Sequence, residues 1–285
     1  MHSRPFVEVV KEQLESESLN LPVFHPIALK LQGILAAKDF NIDQVVALII
    51  KDQALTSQIL RLANSAFFSG LAKVTTITDA VIRLGAREIA SVAMLASQQS
   101  SYNSFTIPEL KSHSQLLWKH AIGCAIGTRW LCEKSGYKQL AQEGFIAGLL
   151  HDIGCLLILR VLEGIMLADS GQKGVSRELT NEIMTAMHAE TGYQLMQKWN
   201  LPEIYCTIVR DHHKEQSDTS DVLLTLVRLV DHACRKLGLG SPPEPNLMLA
   251  ATFEAQSMGI KEIMLAELEI TIEDAMEMVT VTSAA

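Results

Sequence analysis

Apolar residues recur along this chain at spacings of three and four, and no stretch alternates convincingly between apolar and polar. That period belongs to helices with one buried face, whereas strands alternate with a period of two. The fold class expected is therefore all-α, a multi-helix bundle. Start and stop signals cut the first third into short helices. Pro26 opens a segment of the form HPIALKLQGILAAK. Asn41 is placed to cap IDQVVALIIKD, which ends before ALTSQILRLANSAFF. Thr78 is placed to cap DAVIRL, Gly85 stops it, and AREIASVAMLAS follows. Helices this short, one after another, imply stacked helical hairpins.

The helices lengthen after SYNSFTIPELKSH at 100–112, where Ser, Asn and Pro mark the best candidate boundary. They are expected over 113–134, 139–168, 178–199 and 203–213, the third ending at the turn Asn200-Leu201-Pro202. The polar loop KEQSDTSD, 214–221, places Asp221 as the N-cap of VLLTLVRLVDHACRKLG. GSPPEPN at 240–246 is a Pro-rich break, and two or three amphipathic helices follow it. The layout expected is a helical part over 1–105, a second helical domain over 106–240, and a C-terminal helical extension over 241–285.

Composition adds constraints on partners. With 48% hydrophobic and 20% charged residues the chain can fill a sizeable core. A formal net charge of −8 argues against nonspecific nucleic-acid binding, which needs a basic surface. A small phosphorylated ligand stays open, because a bound metal supplies local positive charge. The five cysteines, Cys124, Cys132, Cys155, Cys206 and Cys234, form no CxxC pair and read as reduced, small apolar residues without disulfides. The N-terminus MHSRPFVEVVKEQ lacks a signal-peptide core, and no apolar run is read as approaching the ~18–20 residues of a membrane span. A cytoplasmic protein with no membrane partner is expected.

The chemistry lies in polar residues on apolar stripes. His120 shares a helical face with Leu117, Ala121, Cys124, Thr128 and Leu131. Asp231 shares one with Leu224, Val227 and Cys234, and His188 one with Met184, Thr191, Leu195 and Trp199. His151-Asp152 interrupts the apolar run GLLHDIGCLLI, 148–158, and His212-His213 closes the helix that begins after Pro202. Burying a carboxylate costs several kcal/mol unless it is paired or bound to a cation. A single inward histidine is more often a satisfied core residue than a ligand, and His25 and His113, each near a helix start, take that reading. His2 is terminal, and His232 is either a partner of Asp231 or exposed. For His120, His151, Asp152 and Asp231 together, one shared site is a simpler account than four separate accidents. Imidazoles with carboxylates suit Zn, Fe, Mn and related divalent ions. Neighbours on a helix point ~100° apart, so His151 and Asp152 can bracket one centre and Asp152 can bridge two ions. Two ions ~3.5–4 Å apart activate water and stabilise in-line attack on a phosphate ester.

The order His120, His151-Asp152, Asp231 resembles the H…HD…D pattern of the HD superfamily of metal-dependent phosphohydrolases. His188-Ala-Glu-Thr-Gly192 is similar to its H-x-x-x-G element, and His212-His213 to its paired histidines. LPVFHPIALKLQGIL (21–35), KDQALTSQILRLANSAFFSG (51–70) and ITDAVIRLGAREIASVAM (77–94) resemble the N-terminal helices of HDOD domains, output domains of bacterial signalling proteins. LRLANSAFF is the most specific of these signals, and the resemblance spans roughly 15–215. It implies one or two divalent ions among Fe, Mn, Zn, Ni and Mg, held by His120, His151, Asp152, His188, His212, His213 and Asp231. Asp152 is then the bridging ligand and candidate catalytic proton acceptor. The chain departs from the related HD-GYP phosphodiesterases of cyclic dinucleotides, which carry Lys where this chain has Cys155 and Glu where it has Leu116. The GYP tripeptide is absent from KEQSDTSD. Other basic residues, such as Lys119, Arg129, Arg210 and Lys214, could approach the site, and nothing in the sequence selects among them. Three functions fit the pattern. The first is a phosphohydrolase acting on a phosphate ester or nucleotide. The second is a non-catalytic regulatory module with a signalling-protein partner and a structural or sensory metal. The third is an oxygen-dependent di-iron site.

Overall fold

The computed structural model of the protein describes residues 6–15, 26–35, 41–64, 73–168, 175–214, 220–240 and 243–283. Among them there is no strand, and the chain is all-α. Its first part comprises α1 (Phe6–Glu15), α2 (Pro26–Leu35), α3 (Ile42–Ile49), α4 (Gln53–Ala63), α5 (Ile77–Leu84) and α6 (Ala86–Asn103). The caps explain the short lengths. The Asn41 side chain accepts from the Asp43 N–H and Asp52 from the Leu55 N–H, which separates α3 from α4. Gly85, at φ 86°, ends α5 in a conformation that side chains disfavour. The cap of α5 is Thr76, not Thr78. Starting one residue after Thr76 places Ile77 in the core at 3% exposure and lets Thr76 accept from the Asp79 N–H.

Asn64 gives LRLAN its local meaning. Its amide donates to the carbonyls of Leu60 (2.8 Å) and Val74 (2.9 Å) and accepts from the Val74 N–H (2.9 Å), so it closes the end of α4 onto the chain before α5. His2, His25, residues 21–25 of the first signature, SAFFSG at 65–70, and parts of the loops at 214–221 and 240–246 lie outside the described residues.

The second part comprises α7 (Pro108–Lys134), α8 (Ala141–Leu150), α9 (Ile153–Ala168), α10 (Arg177–Lys198), α11 (Glu203–Asp211) and α12 (Val222–Lys236). α13 (Phe253–Ser257) and α14 (Glu262–Ser283) follow. Three expectations change. α7 begins at Pro108, five residues early, because Pro suits a first helical turn whose N–H groups are unpaired anyway. The single helix expected over 139–168 is two, separated by a turn at His151 and Asp152. The ladder of α8 ends with the His151 N–H on the Ala147 carbonyl, and α9 restarts with the Cys155 N–H on the Asp152 carbonyl. By length and composition Lys138–Ala168 is apolar enough to span a membrane, contrary to the expectation from the sequence. In the fold 89% of its most apolar window is buried, so this apolarity fills the core.

Two glycines on either side of that turn set how close the neighbouring helices come. A Cβ on Gly148 would lie 2.3 Å from the Cys124 carbonyl oxygen of α7. One on Gly154 would lie 1.9 Å from the His188 carbonyl oxygen of α10. Backbone thus meets backbone on both sides, beside His120 and beside His188. α6 is tied to α7 and α8 through buried Glu88, which accepts from Arg129 (2.6 Å) and Gln142 (2.5 Å). α14 packs on α7, with Ile272 over Gly127.

Candidate metal centre

The structure brings His120, His151, Asp152, His188, His212, His213 and Asp231 together in one cluster. They come from three helices and two turns rather than five helices. α7 carries His120, α10 His188 and α12 Asp231, while His151-Asp152 and His212-His213 occupy the turns after α8 and α11. His151 is 1% exposed, and His120, His188, His212 and Asp231 are also buried, whereas His213 is exposed at the rim. The donor atoms fall into two sets. One joins His120, His151 and Asp231 with Cys124; the other joins Asp152, His188, His212 and His213.

Asp152 stands between the sets. Its Oδ2 lies 3.5 Å from His120 Nε2 and 3.7 Å from His151 Nε2. Its Oδ1 lies 3.4 Å from His188 Nε2 and 3.1 Å from His212 Nε2. Its side chain is 18% exposed and is reached from a cleft. Asp231 Oδ1 completes the first set, 3.3 Å from His120 Nε2.

The ring nitrogens test whether these residues fit a metal. The Nδ1 atoms of His151, His188 and His212 are 2.8, 2.7 and 2.8 Å from the carbonyls of Gly148, Met184 and Val209. A carbonyl only accepts, so each Nδ1 carries a proton and each Nε2 faces the cluster, free to ligate, as metal-bound histidines require. Burial pulls His212 down, but its hydrogen bond to Asp152 lifts it, so without metal its Nε2–H donates to that carboxylate. His188 Nε2 and His212 Nε2 then face each other at 3.2 Å. Two lone pairs at that distance repel unless a cation, proton or metal, sits between them. The set fits a divalent ion. Cys124 is a neighbour and not a ligand in this geometry. Its Sγ is 3.6 Å from His120 Nε2 and 4.0 Å from Nδ1, which places it beside the ring and not along the Nε2 lone pair.

Electrostatics agree with a cation-hungry site. Burial pulls His151 down to about 4, so it is neutral and able to ligate. Burial pushes Asp152 up, but the field of His151 and the other imidazoles overrides it and holds the carboxyl well below its usual range. Burial also pulls His120 down, yet its hydrogen bond to Asp231 and the field of Asp152 lift it to about 9. In metal-free protein His120 therefore keeps a proton that a cation must displace. Metal binding at pH 7 should release at least one proton, and apparent affinity should rise at least about tenfold per pH unit up to about pH 9. Without metal the sign reverses. The His120⁺ pairing stabilises the fold fully below pH ~6.5 and is lost as pH rises through about 9. Metal titrations and melting curves across pH 6–9 check both slopes; flat profiles would contradict them.

Of the other candidates only His113 lines the cleft over the cluster, outside both donor sets. His113 is buried, its Nδ1–H on the Glu109 carbonyl, and His232 is half-buried near Glu254. Arg129 is paired with Glu88, and Arg210 and Lys214 are paired with Asp211. Neither these nor Lys119 lines the cleft over the cluster; the guanidinium groups that do are Arg177 and Arg235, which sequence reasoning missed. Arg235 is legible in retrospect, one helical turn after Asp231, whereas Arg177 reaches the site only through the packing of α10.

The sequence model of the HDOD domain family matches residues 21–215. An uncharacterized protein of Treponema pallidum (strain Nichols) is 28% identical over 198 residues, 68% of this chain but 38% of that protein, so this chain spans well under half of the relative's length. Among solved structures, an HDOD domain protein with unknown function from Geobacter sulfurreducens has a TM-score of 0.73 at 24% identity, covering 94% of this chain and 95% of that one. A Shewanella amazonensis SB2B protein, provisionally named a metal-dependent phosphohydrolase, has a TM-score of 0.67 at 19% identity, covering 95% and 97%. At these identities the likeness establishes the fold.

Proposed function

The chain belongs to the HDOD domain family, and we propose that its histidine–aspartate cluster is a two-ion centre that hydrolyses a phosphate ester. The observation that carries this reading is the division of Asp152, one oxygen facing His120 and His151, the other facing His188 and His212. His120, His151 and Asp231 would hold one ion, and His188, His212 and His213 the other. Bound divalent ions supply Lewis acidity at the phosphorus and activate water. The protein's own groups hold and orient. The three carbonyls fix the imidazoles, and the apolar side chains of Leu117, Met184 and Leu239 line the cleft and limit water. Held ionised by its neighbours, Asp152 is a weak proton acceptor, so its role in this reading is to bridge and orient.

Cys155 favours a second reading. It lines the cleft, 6% exposed, where the HD-GYP phosphodiesterases carry a lysine, so the centre would then serve a regulatory module that recognises a signalling partner without turnover. A panel of phosphomonoesters and phosphodiesters, offered to Mn²⁺- or Fe²⁺-loaded protein, separates the two. The first reading expects turnover that falls by at least a hundredfold in His151→Ala. Bound metal with no turnover across the panel would reject it in favour of the second.

A further inference from the structure

We propose that Arg235 and Arg177 form the seat for the phosphate of a small organic monoester, of single-nucleotide size, above the cluster. The inference rests on the metal-centre reading and adds the groups that recognise the substrate. A cleft of about 430 Å³ opens over the cluster, with His120, Asp152, His188 and Asp231 among its lining residues and both guanidinium groups in its wall. Arg235 Nη1 is 3.9 Å from Asp231 Oδ2. A phosphate that meets an ion held by Asp231 is therefore within reach of the same guanidinium.

Arg235 is held in position. Glu244 accepts from its Nη2 and donates its own N–H to the Arg235 carbonyl at 2.8 Å. Gly240 lies against its stem so closely that a Cβ there would be 2.3 Å from Cγ. Its Nε is buried and has no hydrogen-bond partner among the described residues. A guanidinium has five donors in a fixed fork; with Nε shielded and Nη2 braced by Glu244, the Nη1 N–H groups, beyond hydrogen-bond distance of Asp231 at 3.9 Å, are left to present to an anion. Arg177, at the start of α10, is exposed and supplies a second positive charge. Together they take the place of the lysine that Cys155 replaces. Much of the remaining wall is apolar, with Leu116, Leu117, Met184, Leu239 and Pro243, which suits a compact organic body. The volume is at the low end of the range for small-molecule sites, about 300–1,000 Å³, which suits one nucleotide and not a cyclic dinucleotide.

Calorimetry on Mn²⁺-treated protein, with the non-hydrolysable methylene phosphonate analogue of adenosine monophosphate as probe, tests the seat. Metal content is measured on the same samples. The analogue should bind at least tenfold more tightly than adenosine and more tightly than a cyclic dinucleotide. Arg235→Lys, which keeps the charge but loses the fork, and Arg177→Gln, on the surface, should each weaken it about tenfold or more. Metal content should stay unchanged in both variants, and melting temperature in Arg177→Gln. Wild-type affinity in both variants, or equal affinity for adenosine, would overturn the seat. Protein that takes up no Mn²⁺ would overturn the metal reading instead, and the arginine comparison would still decide the seat.

Discussion

Asp152→Asn is expected to empty both halves of the centre at once, whereas His213→Ala empties only one. The difference follows from position. Each Asp152 oxygen faces a different pair of imidazoles at 3.1–3.7 Å, so removing its charge withdraws a ligand from both sets. His213 belongs to the second set alone and lies at the rim. Bound metal should fall to near zero in Asp152→Asn and to about half of the wild-type content in His213→Ala. Stability supplies a second readout. Metal at about 100 times its Kd stabilises a protein by about 2.7 kcal/mol. Added Mn²⁺ should therefore raise the melting temperature of the wild type and leave that of Asp152→Asn unmoved. An Asp152→Asn protein with wild-type metal content would refute the bridging assignment.

Gly154→Ala is expected to be the most damaging Gly→Ala change among the described residues. The added carbon would lie 1.9 Å from the His188 carbonyl oxygen and 2.8 Å from the Gly192 N, both backbone atoms of α10 that no rotamer change can move. The only relief is to push α10 away from α9, and α10 carries His188. Overpacking of a well-filled interior costs about 1–3 kcal/mol, and backbone contact places this case at or above the upper end. A loss of about 3 kcal/mol corresponds to a fall of roughly 6–12 °C in melting temperature for a domain of this size. Metal bound by the second set should weaken with it. Gly164→Ala is the control, since its Cβ would meet nothing within 4 Å. Equal melting temperatures for the two variants would show that the close approach of α9 and α10 is not needed.

These two variants also show what the sequence made legible and what it did not. Periodicity placed His120, His188 and Asp231 on inward stripes, because a buried helix face repeats every three to four residues whatever it packs against. Caps at Asn41, Asp52 and Asp221 follow equally local chemistry, and the sequence pattern marks Asn41 and Asp221 while leaving Asp52 inside an unbroken polar step. The turn at His151-Asp152 was not readable, since apolar spacing continues through it and the two flanking glycines acquire meaning only against α7 and α10. His212-His213 likewise sits one step beyond its helix, where the last turn frees both rings to swing inward. Arg177 reaches the cleft only through the packing of α10, whereas the bracing of Arg235 by Glu244 and the clip that Asn64 makes to Val74 span only nine and ten residues but cross loops whose path follows no helical period.

The most direct test of the central claim is the metal content of protein purified without chelators, measured by elemental analysis. The account predicts at least one first-row divalent ion per chain, approaching two after incubation with Mn²⁺ or Fe²⁺, and removable by chelation with a fall in melting temperature. Protein that is metal-free as purified, takes up none of these ions, and melts at the same temperature with and without them would contradict it.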